Sequence, residues 1–283
     1  MHEKAVEMEK KAEKKLKAFF GGSSKHEEAG EMYNKAANFY KIDRLFGLAA
    51  AAYEKAAACY GRTESKHEVV SALVEASTAY KKVSVPNAIR CLEQAIAMEL
   101  EEGRIQSASR YEKTVAELSE SEGNMDAALE HFQRAADLFR GEESQSAASA
   151  CLLKVATIAA QHKEDFGRAS NIFEQLASQS LENHLTKWGA RENYLKGGLC
   201  RLAMGDPIGA RQSIQVYMDQ DVSFPDTREC KLLLAVLDAW DKMDAEAFTA
   251  AVFEYDQISK LDQWKTQILL KVKNMIKAAE NPT

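Results

Sequence analysis

The side chains able to do chemistry are few and poorly placed for it. The six histidines, His2, His26, His67, His131, His162 and His184, are scattered and mostly flanked by charged or polar residues. None has a second His or a Cys at ligand spacing, so surface imidazoles are expected and no metal is assigned. The five cysteines, Cys59, Cys91, Cys151, Cys200 and Cys230, form no Cys-x-x-Cys pair and stand 30 or more residues apart. Neither a zinc ribbon nor a disulfide framework is supported, and buried structural thiols are the expectation. Carboxylate pairs such as Glu101-Glu102 and Glu142-Glu143 are adjacent, so they point to different sides of a helix and suit acid/base work badly. Phosphate-binding glycine loops and nucleophile elbows are missing. Nothing supports an enzyme, and no catalytic residue and no cofactor are assigned.

One segment does suggest interfacial chemistry. A first helix, roughly Glu3 to Ala18, meets Phe19-Phe20-Gly21-Gly22-Ser23-Ser24, and Lys14, Lys15, Lys17 and Lys25 lie close by. Two adjacent phenylalanines beside a glycine-serine turn allow two readings. At least one ring folds back onto the rest of the chain, or the pair forms a greasy tip at 19–25 that dips into a bilayer while the lysines face anionic headgroups. Full burial of one ring contributes up to roughly 2–3 kcal/mol, enough for weak and reversible attachment.

The elements that would position these residues are helical. Of 283 residues, 46% are hydrophobic and 28% charged, so the chain can bury a substantial core. The prolines are only Pro86, Pro207, Pro225 and Pro282, and β-branched and turn-forming residues are sparse, which disfavours sheets. No apolar run approaches the ~18 residues of a membrane span and the N-terminus is charged, so a cytoplasmic protein is expected. The net charge of −6 argues against nucleic acid as a partner.

A repeat organises the first two hundred residues. Ala29, Tyr33 and Ala36 recur as Ala49, Tyr53 and Ala56; Ala88, Leu92 and Ala95; Ala128, Phe132 and Ala135; and Ala169, Phe173 and Leu176. Spacing i, i+4, i+7 puts a small, a large and a further packing residue on one helical face, so a neighbouring helix can approach closely. From the second set on, the starts fall 39, 40 and 41 residues apart, which fits a helix pair with two short turns. The pattern resembles the second helix of a tetratricopeptide repeat (TPR), with longer helices than usual. The expected fold is all-α: a TPR-like stack of antiparallel helical hairpins over 1–200 forming a twisted sheet, capped by a C-terminal helical bundle over 201–283.

In that bundle, Asp226 or Thr227 suits the N-cap of a helix whose apolar stripe is Leu232, Leu233, Val236, Leu237 and Trp240. A second stripe runs Leu261, Trp264, Ile268, Leu269, Val272 and Ile276, and both read as core. Residues 206–262 hold 5 basic and 12 acidic side chains, a net −7, whereas residues 1–25 carry a net +3. A solvated helix face explains either bias as well as a binding surface does.

Four collinear stretches go beyond a generic repeat. They are Phe19-Phe20 through Lys25; Gly141-Glu142-Glu143-Ser144 with Cys151-Leu152-Leu153-Lys154-Val155-Ala156; Arg228-Glu229-Cys230-Lys231-Leu232; and Glu254-Tyr255-Asp256-Gln257-Ile258-Ser259-Lys260-Leu261-Asp262-Gln263-Trp264. In these stretches and over nearly its whole length the sequence resembles the soluble NSF attachment proteins, most closely their alpha type. The resemblance implies a non-enzymatic adaptor that wraps the four-helix SNARE bundle and recruits the hexameric ATPase NSF, with weak peripheral membrane contact through Phe19 and Phe20.

Residue by residue, the resemblance puts Arg44, Lys81, Arg104, Arg110, Lys154 and Arg191 where the family has cations facing the acidic SNARE bundle, and Leu185 at an apolar contact on the same face. Asp206, Asp238 and Asp241 match carboxylates that meet the NSF N-terminal domain. Ala150 and Lys242 depart from the pattern, standing where a lysine and an acid are expected. The family's acidic tail with its penultimate leucine has no counterpart in the closing Glu280-Asn281-Pro282-Thr283. Outside this family, a different TPR-like scaffold that binds peptides or assembles complexes is the alternative. Such a scaffold needs a basic clamp and a repeat of about 34 residues.

Overall fold

The computed structural model describes residues 1–19, 22–182 and 185–280. Every regular element among them is helical. The chain divides into two compact units, residues 1–148 and 149–283. The boundary expected at 200/201 therefore lies inside the second unit, within a continuous helix.

The first unit consists of α1 (His2–Leu16), α2 (Ser24–Ile42), α3 (Phe46–Tyr60), α4 (Lys66–Tyr80), α5 (Val85–Glu101), α6 (Ile105–Ser121), α7 (Met125–Gly141) and the start of α8 (Gln145–His162). From α2 to α7 the connections are too short for anything but antiparallel hairpins, and each helix packs along the next. Several turns share one device. A residue in the left-handed region reverses the chain, and the next amide returns to the fifth residue before it, as a Schellman cap requires. Gly103 and Gly123 fill that position with φ of 70° and 77°. Arg44 takes the same conformation with φ 58°, while Leu45 N donates to Tyr40 O at 2.9 Å.

Ion pairs across next-but-one helices reveal two layers. Lys41 on α2 reaches Glu75 on α4 at 2.6 Å, and Arg90 on α5 reaches Glu54 on α3 at 2.6 Å. Even-numbered helices thus neighbour one another, as do odd-numbered ones. The small-large-small sets of the sequence lie on α3, α5 and α7, with a first copy on α2, and all of their residues are buried. Alanine at the contacts lets backbones approach while Tyr33, Tyr53, Leu92 and Phe132 fill the space between turns. Closest among the glycines of this unit is Gly30, where a Cβ would stand 2.6 Å from the Tyr60 ring.

The second unit holds most of α8, α9 (Phe166–Glu182), α10 (Ala190–Ala203), α11 (Pro207–Gln220), α12 (Arg228–Asp241), α13 (Ala245–Ile258) and α14 (Gln263–Glu280). The fifth repeat set, on α9, is buried here. α10 is central, packing against α9, α11, α12 and α14. A Cβ at Gly198 would come 2.8 Å from Leu233, so this glycine sets the close approach of α10 to α12. Asp206, Thr227 and Asp244 cap α11, α12 and α13, accepting from Gly209 N, Cys230 N and Ala247 N at 2.8, 3.2 and 2.8 Å. Thr227 is thus the cap of α12. Both C-terminal stripes are core, with Trp240 and Leu261 partly exposed.

Candidate partner-binding surfaces

The topology decides which candidate cations of the first unit share a surface. Because successive helices run antiparallel, the turns after α2, α4 and α6 lie at one end of the unit and those after α1, α3, α5 and α7 at the other. Arg44 in the α2–α3 turn and Lys81 at the start of the α4–α5 turn therefore belong to one end. Both are exposed, and among the described residues no carboxylate pairs with either. Arg104 precedes α6 at the opposite end, about 25 Å away for a helix of 17 residues. Arg110 lies between the ends, on the outward side of α6, exposed.

Arg104 has internal work as well. Its Nε donates to the buried carboxylate of Glu99, and Glu102 lies 3.9 Å away. Glu99 cannot be left buried without such a partner. The cation is thus largely neutralised by its own chain, unlike Lys81 and Arg110.

Lys154 and Arg191 belong to the second unit, as does Leu185. Lys154 is exposed on α8. Leu185 is 89% exposed, and Trp188, which sequence reasoning passed over, is 71% exposed three residues on. The Arg191 guanidinium lies 4.7 Å from the Trp188 ring centroid, a cation–π stack that holds an aromatic face and a charge together. A tryptophan in a turn after a repeat helix was the available signal.

Asp206, Asp238 and Asp241 are not brought into one cluster of free acids. Asp206 spends its Oδ1 on the α11 cap. Asp238 is tied to Lys242 at 2.6 Å, and Asp241 accepts from Arg211 on α11. Lys242, where an acid was expected, thus neutralises its own neighbour one turn away. Asp238 and Asp241 do share the exposed last turn of α12.

In the α1–α2 turn Phe19 is 91% exposed, so this ring does not fold back. Phe20 lies outside the described residues. Lys15 is tied to Glu28 at 2.5 Å and Lys25 donates to Ala18 O at 3.2 Å, which leaves Lys14 and Lys17 as the outward cations.

The expectation of surface histidines fails at His131. That ring is buried between α6 and α7, with Nδ1 2.6 Å from Oε2 of the equally buried Glu112. Flanking polar residues misled because they face outward while His131 occupies the inward side of its helix. All five cysteines are buried, and burial pushes the Cys91 thiol up to about 11, which disfavours the reactive thiolate. Among the described residues no group of His, Cys, Asp and Glu could hold a metal, and no helix is long and apolar enough to cross a membrane.

The profile of the family described as "Soluble NSF attachment protein, SNAP" matches residues 3–277. The chain belongs to the soluble NSF attachment protein family. An alpha-soluble NSF attachment protein of Vitis vinifera is 41% identical over 278 residues, 98% of this chain and 96% of the relative. The beta-soluble protein of Bos taurus is 39% identical over 96% of this chain and 93% of its own length. A "probable vesicular-fusion protein sec17 homolog" of Schizosaccharomyces pombe is 37% identical, covering 93% of this chain and 91% of the relative. Soluble NSF attachment proteins thus match this chain through both of its units, not through the repeats alone. Among solved structures, a Podospora kinesin light chain with TPR-like repeats has a TM-score of 0.44 at 16% identity, over 70% of this chain and 97% of that one.

Proposed function

We propose that this protein is an adaptor that binds assembled SNARE bundles and recruits NSF to disassemble them during vesicle trafficking and membrane fusion. Membership of the attachment-protein family over residues 3–277 carries this reading. The surface chemistry supports it: Arg44, Lys81 and Arg110 are exposed cations on the first unit, suited to an acidic rod, and Leu185, Arg191 and Trp188 add a mixed apolar and cationic patch on the second. The exposed acids Asp238 and Asp241, with Asp206, are the proposed contact with basic surfaces of NSF. Membrane contact is assigned to Phe19 and Phe20 with Lys14 and Lys17, so that weak attachment raises the adaptor's local concentration beside membrane-anchored SNAREs. The protein itself carries out no catalysis; ATP hydrolysis belongs to NSF.

The test is capture. An assembled soluble SNARE bundle should retain the protein on beads, and NSF with a non-hydrolysable ATP analogue should join only when the protein is present. Lys81→Glu with Arg110→Glu should weaken capture at least tenfold while the fold is unchanged. Undiminished capture would remove these residues from the interface, and no capture by the unaltered protein would remove the reading.

A further inference from the structure

The end of the first unit that carries Arg44 and Lys81 also bears an unexplained apolar surface. Ile42 closes α2, Leu45 ends the α2–α3 turn, Leu48 lies on the first turn of α3, and Val83 is in the α4–α5 turn. Ile42 is 62% and Val83 56% exposed, and Leu45 and Leu48 are also exposed. The two turns are neighbours because the residues leading into them pack in one core cluster: Tyr40 and Ala49 with Ala79 and Tyr80. A helix turn normally exposes polar residues, so four aliphatic side chains on two adjacent turns need a reason.

The charges around them that lack a partner among the described residues have one sign. Arg44, Lys81 and Lys82 are exposed with no carboxylate partner among the described residues, whereas Asp43 faces the Met1 amine at 3.3 Å and Lys41 is spent on Glu75. An apolar centre framed by three unpaired cations fits a partner that presents aliphatic side chains among acids, as an acidic helical bundle does. An anionic bilayer has related chemistry, but Phe19 lies in a turn at the opposite end of the same unit, about a helix length away. A membrane reached end-on by that turn does not reach this one.

We infer that Ile42, Leu45, Leu48 and Val83 form an apolar seat, framed by Arg44, Lys81 and Lys82, on which the acidic SNARE bundle of the proposed function docks. The inference rests on that reading and adds to it a contact that salt does not screen. Cation contacts weaken as ionic strength rises, whereas apolar contacts persist.

The experiment measures affinity for a soluble SNARE bundle across a salt series with the full chain. Ile42→Ser with Val83→Ser should weaken binding at least fivefold at every salt concentration, leaving the salt slope and the thermal midpoint as they were. Arg44→Ala with Lys81→Ala should instead flatten the slope. Unchanged affinity in the Ile42/Val83 variant overturns the inference while leaving the adaptor reading intact. So does a loss confined to anionic vesicles of phosphatidylserine and phosphatidylcholine. Failure of the unaltered protein to bind the bundle removes both.

Discussion

Gly30→Ala is the sharpest test of how the repeat packs. In the middle of a helix this substitution ordinarily stabilises by about 1 kcal/mol, because alanine loses less backbone freedom. Here the added methyl would stand 2.6, 2.8 and 2.9 Å from three atoms of the Tyr60 ring, closer than real Cβ contacts come. Tyr60 is buried at the end of α3 and cannot swing away, and its hydroxyl accepts from Asn34 Nδ2 at 3.1 Å, a bond that any retreat would stretch. Overpacking of this kind costs about 1–3 kcal/mol, and the loss of one hydrogen bond about 1 kcal/mol more. These losses outweigh the propensity gain, for a net destabilisation of about 1–3 kcal/mol. With a urea dependence of about 2 kcal/mol/M, the midpoint should fall by about 1 M at the centre of that range. Urea unfolding followed by circular dichroism measures it, with hydrogen exchange at the α2 and α3 amides to place the effect. Gly47→Ala is the control, since nothing lies within 4 Å of its Cβ, and its midpoint should hold or rise slightly. A midpoint that rises for Gly30→Ala as well would refute the close packing of α2 on α3.

The buried pair of Glu112 and His131 should behave as a unit: His131→Leu alone should destabilise the first unit by about 3 kcal/mol by stranding a buried carboxylate, and adding Glu112→Leu should recover most of that loss in the same unfolding assay. In the second unit burial works against the charged Glu174, but hydrogen bonds from Arg201, Tyr217 and Ser170 outweigh it and hold the carboxyl below its ordinary 4.5. A depressed folded value stabilises fully above about pH 4.5 and fades as pH falls through it, so Glu174→Gln should lower the thermal midpoint at pH 7 and shallow its decline in acid. Asp238→Lys with Asp241→Lys should abolish NSF recruitment while leaving SNARE capture and the melting temperature unchanged, because both acids sit in exposed ion pairs. Phe19→Ser with Phe20→Ser should slow disassembly of membrane-anchored SNAREs and spare soluble bundles; equal loss on both would remove membrane contact as their role.

The fold was largely legible because its signals are local. The alanine-aromatic-alanine spacing on α3, α5 and α7 reports one helical face, and that face is buried wherever the sequence placed it. Thr227 and Asp206 act as caps because a side-chain oxygen reaches an amide two or three residues ahead, an interaction that needs no tertiary knowledge. What the sequence hid is pairwise and long-range. Glu99 and Arg104 look like two surface charges until the α5–α6 turn folds one under the other, which leaves Arg104 the most compromised of the first unit's candidate cations. The sequence neighbours of His131 face outward, whereas its partner Glu112 stands on another helix. The unit boundary is equally invisible, since α8 continues across residue 148 with no glycine or proline to mark it. A cation met by a buried carboxylate, as Arg104 is by Glu99, has little electrostatic free energy left for a partner, whereas Arg44, Lys81 and Arg110 retain theirs and the exposed pairs of Asp238 and Asp241 are weak enough to exchange. A charge-reversal series of the cations should therefore divide by buried pairing, with large binding losses and unchanged stability at Arg44, Lys81 and Arg110 and the opposite balance at Arg104.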